Sequence, residues 1–89
     1  MRDIKKDQKS GGMAVNAAPR YLVIIEAGPE SYSAYVPDLP GCIAAADARD
    51  EVESLIREGI ALYLAALRER DQPIPVPTTS ALEVAVPAA

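Results

Sequence analysis

One short turn, Pro37-Asp38-Leu39-Pro40-Gly41, constrains the fold of this chain more than any other segment. Each proline fixes its own φ, removes an amide donor and pushes the residue before it toward extended geometry. The glycine accepts backbone angles that a residue with a Cβ resists. Because the turn follows an apolar segment that contains tyrosines, we expect one strand to end here and another extended segment to begin at Cys42.

Three short segments around this turn have the composition of strands. Residues 21–25 are rich in β-branched side chains and apolar on both faces, so we expect this strand to be covered on two sides. Residues 32–36 follow a short Gly28-Pro29 turn, which predicts an antiparallel hairpin. Residues 42–46, mostly alanine, are the third predicted strand.

An amphipathic helix of about 20 residues is predicted after the third strand. Its apolar side chains recur at helical spacing and are Val52, Leu55, Ile56, Gly59, Ile60, Tyr63 and Leu67. Asp47 is the expected N-cap, with Asp50 three residues later. Prolines at 73, 75 and 77 are expected to end the helix and to impose an extended linker.

The predicted fold class is α+β, a small antiparallel sheet with one long helix packed on one face, in the order β-β-β-α-β. Residues 1–18 read as a flexible N-terminal arm, and residues 19–89 as one α/β domain. Within that domain we expect a proline-rich linker over 72–78 and a short last strand over about 82–86. No DNA-binding domain is expected.

Composition and charge narrow the function classes. The net charge is −4, and because residues 1–12 carry a net +2, the remainder carries −6. Such a body repels nucleic acid and favours a cationic partner. The single cysteine, Cys42, allows no disulfide within the chain. No apolar run approaches the roughly 18 residues of a membrane span, so we expect a cytoplasmic protein that does not bind membranes.

Catalysis is not expected. The chain has no histidine, the usual acid–base group at neutral pH. The candidate metal-binding carboxylates, Glu26, Asp38 and Asp47, stand on three different segments, so no metal or cofactor is predicted. For Asp38 we favour hydrogen bonds to backbone amides of its own turn over a functional role.

These features, in this order, resemble the HicB-type antitoxins. The resembling region runs from residue 21 to about residue 75 and includes Tyr35-Val36-Pro37-Asp38-Leu39-Pro40-Gly41-Cys42. The resemblance implies a partial ribonuclease H-like fold and a partner, a small HicA-type toxin that cleaves messenger RNA using a histidine. Many members carry Gly and Thr before the helix, where this chain has Ala46 and Ala48. Many also continue into a DNA-binding segment, which we do not expect here, so we expect no operator binding by this chain.

Three functional hypotheses follow from the residues and the resemblance together. In the first, the chain is an antitoxin whose acidic body covers the RNA-binding face of the toxin. The family-motif residues, which are also the candidate partner contacts, are then Pro37, Asp38, Leu39, Pro40 and Gly41. In the second it is a stand-alone oligomeric interaction domain, and in the third a degenerate nuclease. The two-faced first strand and the alanine-rich core predict a homodimer or homotetramer.

Overall fold

The computed structural model describes residues 19–88, which form a three-stranded antiparallel sheet followed by one long helix. The elements are β1 (Ile24–Ala27), β2 (Tyr32–Tyr35), β3 (Ile43–Ala46) and α1 (Arg49–Glu69). The predicted α+β class and the order of these four elements are confirmed. The flexible arm predicted over 1–18 lies outside the described residues. The likeness to ribonuclease H stays a prediction.

Strands β1 and β2 form the predicted hairpin, with Ile24 opposite Tyr35. Its loop is closed by the Gly28 amide, which donates to the Ser31 carbonyl at 2.7 Å. β1 begins three residues later than the apolar run that predicted it. In this register Leu22 would lie opposite Pro37, which has no amide to donate, and the ladder therefore ends before that pair.

The helix packs on one face of the sheet, over β2 and β3. The core combines residues of the sheet, the Pro-Gly turn and the helix, and its buried members are Ala34, Val36, Leu39, Cys42, Val52, Ile56 and Leu64. The predicted apolar stripe of the helix is confirmed for Val52 and Ile56, which are buried, and for Ile60, Tyr63 and Leu67, which are half-buried against the core. It was wrong at two positions: Leu55 is 40% exposed, and Leu64, absent from the stripe, is buried. The buried side of the helix is therefore turned toward Leu64.

Both ends of the helix differ from expectation. The N-cap residue is Ala48, which has extended backbone and makes no side-chain cap hydrogen bond, so the predicted Asp47 cap is wrong by one position. At the other end the Gln72 amide donates to the Leu67 carbonyl at 2.9 Å, and the Asp71 amide to that of Arg68 at 3.1 Å. This is a Schellman motif with Asp71 at φ 53°. It ends the helix before the first proline is reached.

The predicted last strand does not form within the described chain. Residues 80–88 have no regular secondary structure, and Leu82 is 86% exposed. The segment lies against neither open edge of the sheet, and an alternating apolar segment becomes a strand only when another strand exchanges backbone hydrogen bonds with it. The order within residues 19–88 is therefore β-β-β-α.

Candidate functional site

The Pro-Gly motif folds into two consecutive tight turns. The Leu39 amide donates to the Val36 carbonyl, and the Cys42 amide donates to the Leu39 carbonyl, both at 3.0 Å. Gly41 has φ 86°, which suits the third position of a type II turn with Pro40 in the second. Leu39 is fully buried between the two turns. The motif is thus a rigid surface loop anchored from below by one leucine.

Asp38 binds a distant part of the chain. Its carboxylate accepts the amide and hydroxyl of Thr78, each at 3.0 Å, and the amide and hydroxyl of Thr79, at 3.0 and 2.8 Å. We call Asp38, Thr78 and Thr79 the clasp. Among the described residues these threonines, and not amides of the turn, are the donors, so the expected local role of Asp38 was wrong.

The clasp stabilises the ionised form of Asp38. Hydrogen bonds from the amide and the hydroxyl of Thr79 are the largest causes that lower the pKa of Asp38 from 3.8 to about 2. Desolvation opposes them, and the two Thr78 donors add weaker lowering effects. Another hydrogen bond, from the Tyr21 hydroxyl to the Pro75 carbonyl at 2.6 Å, holds the same segment at a residue nearer in sequence to the end of the helix. Together these bonds tie residues 75–79 across one end of the sheet.

The acidic residues considered for metal chemistry are not brought together. Glu26 lies on β1, Asp38 in the clasp, and Asp47 is exposed before the helix. Within residues 19–88, no three His, Cys, Asp or Glu side chains are close enough to hold a metal ion. Cys42 is buried against the helix, and burial raises the pKa of its thiol, which disfavours the reactive thiolate.

The outward side of the helix carries a second feature that our sequence reasoning missed. Residues spaced by three, four or seven positions share one helix face. On that face lie three carboxylates and two leucines, all exposed: Glu51, Leu55, Glu58, Leu62 and Glu69. We call this set the outer stripe. It has no basic residue, and Leu62 is 70% exposed. The periodicity of the acidic residues was the available signal.

The sheet face opposite the helix, which we call the bare sheet face, carries one apolar row, and Glu26 and Ser33 lie beside that row on the same face. Ile24, Tyr35 and Ile43 lie side by side across the three strands, and Ile43 is 74% exposed. A shallow groove of about 520 Å³ runs along β2 and β3 on this side. The prediction that both faces of the first strand are covered is met only in part, since Leu22 and Ile24 are half-buried, and the exposed end of this face is Ile43 on β3.

Comparison with known proteins places the chain in a family. Residues 21–88 match the family model of the HicB-like antitoxin of bacterial toxin–antitoxin systems. The match spans most of the chain, so this protein belongs to the HicB-like antitoxin family. No curated protein matches the chain, and no solved structure matches it.

Membership assigns the chain to a class of regulatory protein that acts on a toxin partner. In the described part of the chain, no helix is long and apolar enough to cross a membrane. The candidate protein-binding surfaces are the rigid turn with its clasp, the outer stripe and the bare sheet face.

Proposed function

We propose that this chain is an antitoxin that binds a small HicA-type toxin, a ribonuclease that cleaves messenger RNA, and neutralises it. The chain covers the RNA-binding face of the toxin and so excludes its substrate. The observation that carries this proposal is the outer stripe, an exposed row of acidic and leucine side chains in a member of an antitoxin family.

The chemistry of the outer stripe suits a ribonuclease surface. A protein that binds RNA presents basic side chains to the phosphates, so three carboxylates without a basic residue between them are complementary to it. Complementary charge speeds encounter and fixes orientation. Leu55 and Leu62 add apolar contacts at the centre, where interfaces gain most of their affinity.

The rigid turn supplies a second contact in this proposal. Pro37, Pro40 and Gly41 are exposed, and their backbone is fixed before binding, so little conformational entropy is lost. Leu39 and Asp38 act from behind, since the leucine is buried and the carboxylate is engaged in the clasp. The motif thus combines outward contact residues with inward supporting ones.

The other parts of the proposal follow from the same features. The chain has no histidine and its candidate carboxylates are dispersed, which supports a protein that binds without catalysing. We propose a cytoplasmic homodimer or homotetramer that leaves operator binding to other segments or proteins. The uncovered row of Ile24, Tyr35 and Ile43 supports self-association.

Co-purification tests the proposal directly. The chain is co-expressed with a HicA-type toxin from the same genome, and growth rescue and complex formation are scored together. Glu58→Lys should weaken the complex at least about tenfold, because a like charge then faces a basic surface. Glu30→Lys is the matched control in the β1–β2 loop, with the same charge change away from the stripe, and should change affinity less than about threefold.

Two outcomes would count against it. If the unaltered chain forms no complex and gives no rescue, the antitoxin function is wrong for this toxin. If Glu58→Lys and Glu30→Lys behave alike, the outer stripe is not the binding site. The bare sheet face favours one second candidate, a stand-alone oligomeric interaction domain, for which self-association would persist while no toxin binds.

A further inference from the structure

We propose that the C-terminal tail of one copy, residues 80–88, pairs as a fourth strand with the free edge of β1 in a second copy, and that the second copy returns the same contact. The proposal rests on the homo-oligomer part of the proposed function and is independent of the toxin. In this pairing, the last strand predicted over about 82–86, which does not form within one protomer as described, pairs with another protomer.

The tail has the pattern of a strand but pairs with no strand of its own protomer among the described residues. Leu82, Val84 and Val86 occupy alternate positions and are 86%, 69% and 82% exposed. Alternation of this kind places the three side chains on one face of a strand. The only charged residue of the tail is Glu83. A mainly apolar segment with a single charge that is open to water is a contact surface without its partner.

The path of the chain up to residue 79 leads away from its own β1. The Tyr21–Pro75 hydrogen bond holds the segment near the start of β1, and the clasp then carries it to the turn between β2 and β3. The tail therefore departs one strand away from the free edge of β1. The seven residues from Ser80 to Val86 span about 23 Å when extended, more than the four-residue β1 needs.

The edge of β1 offers a matching acceptor. β1 is an outer strand of the sheet, and within the described residues no strand lies on its free side. The helix lies against β2 and β3, which leaves a groove of about 260 Å³ next to β1. Its apolar lining is Val23, Ile25 and Ile56, with charged side chains of the helix completing the wall. A strand added here would lay its three apolar side chains beside that lining.

Charge favours a second copy of this chain as the occupant. Two bodies of net charge −6 repel one another, so copies associate best through surfaces with few charges. The tail has one carboxylate, whereas a basic toxin is better matched by the outer stripe. Each copy carries one tail and one free β1 edge, so a two-fold dimer satisfies both exchanges at once.

Proline substitution and light scattering test the pairing in the full-length chain. Amides of neighbouring strand residues point to opposite sides, so of Val84→Pro and Ala85→Pro at least one removes a ladder hydrogen bond. We expect the unaltered chain to be dimeric at micromolar concentration and that variant to dissociate about 100-fold more readily. Glu83→Gln, which keeps the backbone, should stay within about threefold of the unaltered chain.

Hydrogen exchange locates the contact. In the dimer, amides of the tail and of β1 should be protected together, and the effective proline variant should lose both while helix content by circular dichroism is unchanged. A monomeric unaltered chain would overturn the proposal along with the homo-oligomer. Dimers that survive both proline substitutions, or tail protection that spares β1, would overturn the tail exchange alone. Failure to bind a toxin affects neither result.

Discussion

The rigid turn has Leu39 between Pro37 and Pro40, and the tail has Leu82 between Pro77 and Pro87, but the two leucines differ in burial. Leu39 is fully buried, whereas Leu82 is 86% exposed. The turn closes its own backbone hydrogen bonds within residues 36–42, and this places Leu39 in the core. The tail has no such closure after the clasp. Local hydrogen bonding, more than apolar character, therefore determines which segment of this small chain packs into the core of a single protomer.

The largest expected effect is the difference in stability between truncation of Leu39 and truncation of Leu82. Leu39→Ala should lower the free energy of unfolding by about 2–5 kcal/mol, because it removes a fully buried side chain. Leu82→Ala should change it by less than about 0.5 kcal/mol in dilute solution, because Leu82 touches little of its own protomer. Urea unfolding at several protein concentrations measures both.

The concentration series separates folding from association. The effect of Leu39→Ala should be the same at every concentration, and any effect of Leu82→Ala should grow as concentration rises. Equal losses of unfolding free energy for both variants in dilute solution would contradict the difference between turn and tail, since Leu82 would then be part of the protomer core.

A smaller effect on the free energy of unfolding is expected at two glycines, where substitution by alanine should act with opposite signs. Gly41→Ala should destabilise by about 1–2 kcal/mol, because φ 86° is strained for a residue with a Cβ. Gly59→Ala should stabilise by up to about 1 kcal/mol through helix propensity. A Cβ at Gly59 would lie 3.6 Å from Cys42 Sγ, an ordinary contact distance. Thermal unfolding of the pair checks both signs, and a stabilising Gly41→Ala would contradict the turn geometry.

The smallest effect concerns pH and the clasp. The pKa of Asp38 is lowered to about 2 in the folded chain from an ordinary 3.8, so its contribution is complete above about pH 4 and is lost as pH falls through about 2. Amide chemical shifts of Thr78 and Thr79 should follow this titration. Asp38→Asn should alter them already at neutral pH, while Asp47→Asn, the control, should not. Unchanged shifts in Asp38→Asn would show that the clasp does not hold the segment.

Features set by neighbours in sequence were predictable. The double turn follows from two prolines and a glycine, the hairpin from Gly28-Pro29, and the helix from its apolar spacing. Each depends on backbone preferences that one short segment carries by itself. The start of β1 was missed because it depends on register, which sets Pro37 opposite Leu22.

Features set by distant partners were not predictable. Nothing around Asp38 indicates that its donors are two threonines about forty residues later. The N-cap was misplaced because Ala48 occupies the cap without a cap-forming side chain. The outer stripe was missed because the spacing of its acidic residues identifies a binding face only once the direction in which the helix packs is known.

The clasp has a consequence for the order in which the molecule assembles. Hairpin, double turn and helix are each built from residues near in sequence, whereas Asp38 and Thr78 are separated by 40 positions. Closing so long a loop is entropically slow, so this bond forms late in folding and opens early under stress. We therefore expect residues 75–88 to detach and return while the sheet and the helix keep their shape.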